Sequence, residues 1–199
     1  MLELLLIRHA ATEWNAEKKL QGRRDIPLSQ IGRDSLSQRT IPPELRQRDW
    51  FCSPLLRTQQ TAALLGIPHP TLSDSWIEMD WGNWEGQRIT ELRQQQPQLM
   101  KTQEQRGLDM TPPGGECPRQ VRQRLRAWLA TQDPQDSLKR IGVVTHKGVI
   151  RALLSDALDW DMLAKCPIKQ DWQCALMLRY QQGRLSLQQH NISLLTDGD

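Results

Sequence analysis

The chain begins with a short and almost continuous apolar run, Leu-Glu-Leu-Leu-Leu-Ile at residues 2–7. A run of this length is typical of a strand that is buried on both faces of a parallel sheet. It leads directly into Arg8 and His9, which place a fixed cation beside a titratable nitrogen nucleophile. The pair is a weak signal by itself, because a histidine at a strand end is more often a hydrogen-bonded structural residue than a catalyst.

A second apolar run has the same design far along the chain. Residues 141–145 read Ile-Gly-Val-Val-Thr and lead into His146, and the sequence Val-Ile-Arg-Ala-Leu-Leu after Gly148 predicts a helix. Open α/β folds build their active sites where parallel strands end. Two parallel strands would therefore bring His9 and His146 to one edge of a sheet, which strengthens the catalytic interpretation.

Strand and helix patterns alternate along the rest of the chain. The first half of the chain predicts a polar loop over residues 16–27, a helix over 29–38, a strand over 49–53 and a helix that ends at Gly66. A weaker strand over 71–76 follows, and then a polar, glutamine-rich helical excursion at about 87–117. The last predicted elements are a helix that begins at Pro118 and, after the second apolar run and its helix, a terminal hairpin of residues 173–180 and 184–190. This alternation indicates an α/β fold with a mostly parallel sheet, to which the hairpin adds an antiparallel edge.

The helix after the strand over residues 49–53 has a specific predicted start. Ser53 is a favoured N-cap residue, and Pro54 suits the first helical turn because its missing N–H would have no partner there. Arg57 then lies about one turn into the helix. Its guanidinium is therefore expected near the sheet edge that carries the two histidines.

Composition and charge fit a single enzyme-sized domain over residues 1–199. Hydrophobic residues make up 38% of the chain and charged residues 25%, so a core can be buried and disorder is not indicated. The net charge is only +3, with no basic stripe dense enough for nucleic acid. No apolar run approaches the roughly 20 residues of a membrane span, and the first run is too short for a secretory signal. We expect a monomer or homodimer with neither a nucleic-acid nor a membrane partner.

The four cysteines form no C-x-x-C pair and show no metal-type spacing. The histidines also lack zinc-ligand spacing, so buried or half-buried free thiols are the favoured interpretation. This cysteine usage indicates a reducing compartment, and we expect a cytoplasmic location.

Six ordered segments carry a resemblance to a known family: LIRHAATEWN, QGRRDIPLSQIG, CSPLLRTQQTA, EMDWGNWEG, PPGGE and VVTHKGVIRALL. The first is similar to the signature R-H-G-x-T-x-x-N of the histidine phosphatase superfamily, also called the phosphoglycerate mutase-like family. The others follow in the family's order and approximate spacing, so the similarity covers about residues 1–155. The resemblance implies a three-layer α/β/α sandwich with no cofactor and no metal.

The resemblance also implies roles for particular residues. His9 would be the nucleophile that becomes phosphorylated, and Glu78 would be the proton donor. The phosphate pocket would be completed by Arg8, Arg57 and His146. Further implied contacts to the substrate are those of Thr12, Asn15, Gln21 and Gly22.

The chemistry of phosphoryl transfer independently requires such a set. A neutral imidazole nitrogen can attack a phosphomonoester dianion when an acceptor pins its other nitrogen. Two arginines and a second histidine can hold the charge on three phosphoryl oxygens without Mg²⁺. A carboxyl group whose pKa is raised by partial burial can protonate the leaving alkoxide and then deprotonate the attacking water. We therefore predict a metal-independent phosphatase that acts on a small-molecule phosphomonoester.

Three positions depart from the family pattern. Ala10 replaces the usual glycine after Arg-His, and Cys117 replaces a serine that would cap the next helix. Lys147 stands beside His146, where glycine is common, at a predicted helix N-terminus. Its side chain is expected either to carry its charge into solvent or to contact a second anionic group of the substrate.

Two alternative functions stay open. A phosphoglycerate mutase-type transferase uses the same intermediate, but the chain is shorter than the cofactor-dependent mutases and lacks the inserts that enclose their active site. A catalytically silent binding module of the same fold is disfavoured, because all five reacting and charge-holding residues are present. Bacterial α-ribazole phosphatases have a similar PPGGE segment and a similar length, so α-ribazole phosphate is one candidate substrate.

Overall fold

The sheet that organises the fold has six strands in the computed structural model, which describes residues 1–132 and 138–195. The strands are β1 (Leu2–Arg8), β2 (Asp49–Cys52), β3 (Thr71–Leu72), β4 (Lys139–Thr145), β5 (Ala175–Gln181) and β6 (Arg184–Ile192), and they lie in the order β3-β2-β4-β1-β5-β6. The first four in that order are parallel, whereas β5 and β6 are antiparallel additions at one edge. The predicted mostly parallel sheet with an antiparallel edge is confirmed.

The two apolar runs that precede the histidines are neighbouring strands. β1 pairs in parallel with β4, and Arg8 at the end of β1 lies opposite Thr145 at the end of β4. The carboxyl ends of the two strands are therefore level, and the next residue of each is a histidine. The His9 N–H continues the ladder by donating to the carbonyl oxygen of Thr145 at 2.9 Å. This register brings His9 and His146 together.

Helices cover both faces of the sheet. They are α1 (Glu13–Ala16), α2 (Gln30–Leu36), α3 (Pro43–Arg46), α4 (Leu56–Leu64), α5 (Ile89–Gln95), α6 (Pro97–Glu104), α7 (Pro118–Gln132) and α8 (Lys147–Ala157), with 3₁₀ turns at Asp74–Trp76, Gly82–Trp84 and Gly107–Asp109. Alternate residues of β1 join opposite layers, as a strand requires. Leu4 and Leu6 belong to a core with α7 and α8, and Leu5 and Ile7 to a core with α2 and α4. The chain has a three-layer α/β/α arrangement.

The apolar stripe of α7 shows how one layer is fixed. Val121, Leu125 and Leu129 recur at four-residue spacing, and all three are fully buried in the core that includes β1 and β4. Burial of each such side chain contributes about 1.5–3 kcal/mol to folding. Trp128 packs edge-on against Trp76, with ring centroids 4.9 Å apart. This contact ties α7 to the 3₁₀ turn that follows β3.

The helix after β2 begins later than the sequence predicts. α4 starts at Leu56, and Leu55 occupies the N-cap position without a side-chain hydrogen bond. Ser53 is therefore not the cap, and Pro54 lies before the first turn. The Ser53 hydroxyl instead accepts from the Leu55 N–H at 3.3 Å and lies 2.7 Å from a ring nitrogen of His146. The predicted cap was wrong because a local turn and a tertiary partner both use that hydroxyl.

The strand expected over residues 71–76 is only Thr71–Leu72, because Ser73 caps the 3₁₀ turn Asp74–Trp76 that follows. The terminal hairpin is confirmed, and Gln182 and Gly183 both have positive φ in its turn, as a tight hairpin connection requires.

Helices α5 and α6 and the 3₁₀ turn Gly107–Asp109 lie where the sequence predicts a helical excursion. Leu92 and Met100 pack with Trp84 in a small core of their own. The excursion contributes side chains to one wall of a cleft at the carboxyl edge of the sheet. The assignment of residues 1–199 to one domain stays a prediction.

Within residues 1–132 and 138–195, no helix has both the length and the apolar character that crossing a membrane requires.

Candidate active site

His9 follows β1 directly, and its ring is fixed by a backbone carbonyl. Nδ1 lies 2.7 Å from the carbonyl oxygen of Ala10, and Nδ1 carries the proton because that oxygen can only accept. The lone pair is then on Nε2, the nitrogen available for attack. The Ala10 N–H donates to Thr61 Oγ1 at 3.1 Å. The residue that departs from the family's glycine is thus held at both its N–H and its carbonyl.

His9 is neutral in this environment. The residue is 5% exposed, and burial lowers the pKa of its imidazole well below the usual value. The positive charges of Arg8 and Arg57 lower this pKa further. A neutral ring in a fixed tautomer is the state in which an imidazole nitrogen acts as a nucleophile.

His146 lies beside His9, with ring centroids 5.3 Å apart. Its Nε2 is 2.7 Å from Ser53 Oγ, whereas its buried Nδ1 has no hydrogen-bond partner in the described part of the chain. Burial, followed by the charge of Arg57, lowers the pKa of His146 well below the usual value. When the Ser53 hydroxyl donates to Nε2, Nδ1 carries the proton and can donate to a ligand.

Arg57 is fully buried and is held by the loop that follows α1. Its Nη1 donates to the Arg24 carbonyl oxygen at 2.8 Å, and its Nη2 donates to the Gly22 carbonyl oxygen at 2.7 Å. Two carbonyls therefore fix the plane of the guanidinium. Sequence reasoning placed Arg57 at this edge but did not identify these acceptors, because they come from a loop without a regular pattern.

Glu85 holds that loop in place. Its Oε1 accepts from the Arg23 N–H at 2.6 Å, and its Oε2 lies 3.6 Å from Arg24 Nε. Gly22 has φ of +55°, and a Cβ at this position would lie 1.7 Å from Glu85 Oε1. Glycine is therefore required both by the backbone conformation and by the close approach of the carboxylate. The position of Arg57 depends on Glu85 through this loop.

Arg8 completes the group of cations around His9. Its guanidinium lies 6.0 Å from the ring centroid of Trp172. Lys147 Nζ lies 5.1 Å from the same centroid, so one indole ring stabilises two cations. Sequence reasoning missed Trp172, because this residue lies in an irregular segment before β5 that carries no motif.

Three buried nitrogens in this group have no hydrogen-bond partner among the described residues: Arg8 Nε, Arg57 Nε and His146 Nδ1. Leaving a buried donor unpaired costs about 1–3 kcal/mol. Several such donors around a neutral nucleophile suit an oxyanion that has several acceptors, such as a phosphoryl group.

Glu78 is a buried carboxyl group at the same edge of the sheet. It is 7% exposed, and it accepts from the Met79 N–H at 2.9 Å and from the Gly148 N–H at 3.2 Å. Burial raises the pKa of Glu78, and this effect exceeds the opposing effects of the two hydrogen bonds and of Arg57 and Arg8. A Cβ at Gly148 would lie 2.4 Å from Glu78 Oε1, so glycine leaves room for the carboxyl group. A raised pKa keeps more of the group protonated, as a proton donor requires.

A cleft of about 690 Å³ opens beside these residues. Of the predicted site residues, those that line it are Arg8, His9, Asn15, Gln21, Gly22, Arg57, Glu78 and Lys147. His146 is fully buried next to His9. Thr12 is not among the described lining residues, since it caps α1 and exchanges hydrogen bonds with Asn15 in a capping box. The structure thus brings most of the predicted set to one cleft and places Thr12 behind Asn15.

No group of three or more His, Cys, Asp or Glu side chains is placed to bind a metal ion in residues 1–132 and 138–195. The four cysteines are free thiols, as predicted: Cys52 and Cys117 are buried, and Cys166 and Cys174 are half-buried.

Known proteins resemble this chain over most of its length. A family model described as the histidine phosphatase superfamily (branch 1) matches residues 4–193. A Bacillus subtilis (strain 168) protein named uncharacterized phosphatase PhoE is 28% identical over 162 residues, which are 78% of this chain and 77% of the relative. A Salmonella paratyphi C (strain RKS4594) protein named probable phosphoglycerate mutase GpmB is 30% identical over 164 residues, 79% of this chain and 75% of the relative.

A solved structure has the same fold. It is described as a putative alpha-ribazole-5'-P phosphatase from Escherichia coli K-12, and it superposes with a TM-score of 0.79 at 23% identity over 99% of both chains.

The two neutral buried histidines are expected to make the protein less stable in acid. His9 and His146 resist protonation when folded, whereas unfolded histidines take up protons near pH 6.5. As the pH falls from about 7 to about 5, the unfolded state binds more protons, so each histidine lowers the free energy of unfolding by up to about 1.4 kcal/mol per pH unit. The substitution His9→Asn should remove one contribution and flatten this dependence, which urea unfolding at several pH values measures.

His69→Asn is the matched control, because His69 is exposed and asparagine tolerates its positive φ. Glu78 acts in the opposite sense, since its raised pKa lowers stability as the pH rises, and it is unchanged in both variants. The control should keep the wild-type slope. An equal slope for His9→Asn would mean that His9 titrates normally in the folded protein.

Proposed function

The chain belongs to the histidine phosphatase superfamily (branch 1), and on this basis we propose that it hydrolyses a small-molecule phosphomonoester through a phosphohistidine at His9. The state of His9 is the observation that carries the proposal. The ring is buried and neutral, and its Nδ1 proton is committed to the Ala10 carbonyl. Nε2 is therefore available as the nucleophile, beside two arginines and a second histidine.

In the first step, His9 Nε2 forms a bond to phosphorus while the bond from phosphorus to the ester oxygen breaks. Glu78 donates its proton to the departing oxygen, so the alcohol leaves neutral and Glu78 becomes ionised. The raised pKa of Glu78 supports this role. The Nδ1–H bond to the Ala10 carbonyl stabilises the positive charge that develops on the ring.

In the second step, water attacks the phosphorus of the phosphohistidine. The Glu78 carboxylate takes a proton from this water, and the phosphorus–nitrogen bond breaks with its electron pair returning to His9 Nε2. Inorganic phosphate leaves, and both residues return to their starting protonation states.

The three donors around His9 hold the phosphoryl oxygens during both steps. The unpartnered nitrogens of Arg8, Arg57 and His146 support this assignment. Arg57 is already oriented by the carbonyls of the loop after α1, so little reorganisation accompanies the reaction. We infer that this positive field makes the enzyme independent of a metal ion.

The remainder of the substrate occupies the cleft. The proposed substrate-binding residues are Asn15, Gln21, Gly22 and Lys147, with Thr12 orienting Asn15. α-Ribazole phosphate is one candidate, since the Escherichia coli relative is described as a putative phosphatase of that ester. Trp81, Ile89 and Met110 on the cleft wall can contact an aromatic base of this kind.

Phosphoglycerate mutase-type transfer is the second candidate function, since the Salmonella relative at 30% identity carries that name. The two activities share the first step and differ in the acceptor, which is water or a second hydroxyl group. Incubation with 3-phosphoglycerate separates them, because a phosphatase releases inorganic phosphate and a mutase forms 2-phosphoglycerate without net release. A catalytically silent binding module would do neither.

A phosphorylated His9 is the direct expectation from this mechanism. Brief incubation with substrate, followed by a rapid quench, should add one phosphoryl group that is labile in acid and stable in base. His9→Asn should abolish this adduct and lower turnover by several orders of magnitude, because the nucleophile is lost. Intact-mass analysis and a phosphate-release assay measure the two effects. His69→Asn should behave as wild type, and turnover that persists in His9→Asn would exclude His9 as the nucleophile.

Glu78→Gln is expected to discriminate between leaving groups. An alkyl phosphate needs protonation of its leaving oxygen, so the variant should lose about 10²- to 10⁴-fold in kcat/KM. p-Nitrophenyl phosphate departs with little protonation and should lose far less. Since the acid form is required and its pKa is raised, wild-type activity toward the alkyl ester should fall as the pH rises through that pKa, and the variant should lack this limb. The exposed Glu44→Gln serves as control, and equal losses for both substrates would assign Glu78 to positioning or to the second step.

Chelation should leave the activity unchanged. If Arg8, Arg57 and His146 supply the positive field, exhaustive dialysis against EDTA removes nothing that the reaction uses. Phosphate release before and after dialysis measures this. A loss that Mg²⁺ or Zn²⁺ restores would contradict the proposed mechanism.

A further inference from the structure

Two cations on one side of α8 line the cleft without a carboxylate partner. Lys147 and Arg151 are four residues apart, so their side chains are neighbours on the helix surface. Neither forms an ion pair with an acidic side chain in the described residues, whereas another cleft arginine, Arg93, pairs with Glu104 at 2.8 Å. The charges of Lys147 and Arg151 are therefore available to a ligand in the cleft.

Aromatic rings position both cations. Arg151 lies 4.7 Å from the ring centroid of Trp160, which is 5% exposed and whose Nε1 donates to the Ala164 carbonyl at 2.9 Å. Lys147 Nζ lies 5.1 Å from the centroid of Trp172. A cation on the face of an aromatic ring is stabilised by the ring and keeps its hydrogen-bond donors for other partners. The two positive groups are thus held in place with free donors.

The cations also lie close to the proposed phosphoryl site. Arg8 contacts the same ring of Trp172 as Lys147 does. Desolvation and then the positive charges of Arg8 and Arg151 lower the pKa of Lys147, against a smaller opposing effect of the Glu78 carboxyl group. An anion placed between Lys147 and Arg151 would relieve this repulsion.

We propose that Lys147 and Arg151 form a second anion subsite, and that the substrate carries a carboxylate or a further phosphate in addition to the phosphoryl group that reacts at His9. The inference rests on the proposed function and narrows it to phosphorylated hydroxy acids and bisphosphates. Because Lys147 and Arg8 share one indole ring, the two anionic groups are separated by a short carbon chain. A phosphomonoester with a neutral remainder, such as α-ribazole phosphate, leaves the subsite unused.

Binding to the His9→Asn protein tests the subsite without turnover. Calorimetry would compare glycerol 3-phosphate, 3-phosphoglycerate and glycerol 1,3-bisphosphate, which share a three-carbon chain and end in a hydroxyl, a carboxylate and a phosphate. We expect at least one of the two ligands with a second anionic group to bind about tenfold more tightly than glycerol 3-phosphate. The stronger of the two identifies the preferred second group, and equal affinity for all three would overturn the proposal.

Substitutions that each remove one positive charge then test whether Lys147 and Arg151 cause the preference for a second anionic group. In the otherwise unchanged enzyme, Arg151→Gln should raise KM for the preferred substrate with a second anionic group about tenfold, with little change in kcat or in KM for p-nitrophenyl phosphate. Lys147→Gln should raise KM for the same preferred substrate about threefold. Lys101→Gln removes the same charge from an exposed position of α6 outside the cleft and should change neither KM. Arg151→Lys and Lys147→Arg keep the positive charge and should retain most of the preference for a second anionic group. Retention in these variants would show that the loss in the glutamine variants comes from the missing charge and not from a folding defect.

The outcomes separate this proposal from the proposed function. If no ester is hydrolysed and no phosphohistidine forms, but His9→Asn still prefers a ligand with a second anionic group, the hydrolytic mechanism fails and the subsite stands. If hydrolysis proceeds and the substitutions raise KM equally for both substrates, or for neither, the subsite is wrong and the mechanism stands.

Discussion

The parallel pairing of β1 with β4 is the constraint on which the candidate site depends. Arg8, the last residue of β1, pairs with Thr145, the last residue of β4. The two strands therefore end at the same height, and the residues that follow them, His9 and His146, lie side by side. A slip of one residue would turn the apolar side chains of β1 to the wrong layers as well as separating the histidines. The core on both faces of the sheet therefore fixes the geometry of the site, and packing and chemistry share one register.

Concentrating charge at this edge works against stability. Arg8 and Arg57 are partly or fully buried near each other, and each holds a nitrogen without a hydrogen-bond partner in the described chain. Glu78, Asp25 and Glu85 are the carboxyl groups that act on Arg57, but burial raises the pKa of Glu78 and reduces the negative charge that it offers. An anion bound by these donors, as the proposed function requires, would offset this cost, so the features that destabilise the site are those that the proposed reaction uses.

Local patterns predicted much of this arrangement, and tertiary contacts account for the rest. The buried strands and the paired histidines were predictable because each is encoded in a few consecutive residues. Ser53 was assigned to a helix cap because its sequence neighbours favour one, yet its hydroxyl contacts His146, which is distant in sequence. Trp172 and Arg151 carried no motif that indicated a role. Tertiary structure brings Trp172 to Arg8 and Lys147, and α8 places Arg151 at the cleft.

The start of α8 joins the proposed chemistry to the proposed specificity. Three consecutive residues have three different partners: His146 bonds Ser53, Lys147 lies on Trp172, and the Gly148 N–H donates to Glu78. The flanking two are constrained, His146 by its buried contacts and Gly148 by the carboxyl group that fills the space of a Cβ. Lys147 is exposed and lines the cleft, and its Nζ lies over Trp172 rather than on the partner of either neighbour. Under the proposed function, a substitution at this position changes substrate preference while the proposed reacting groups stay in place.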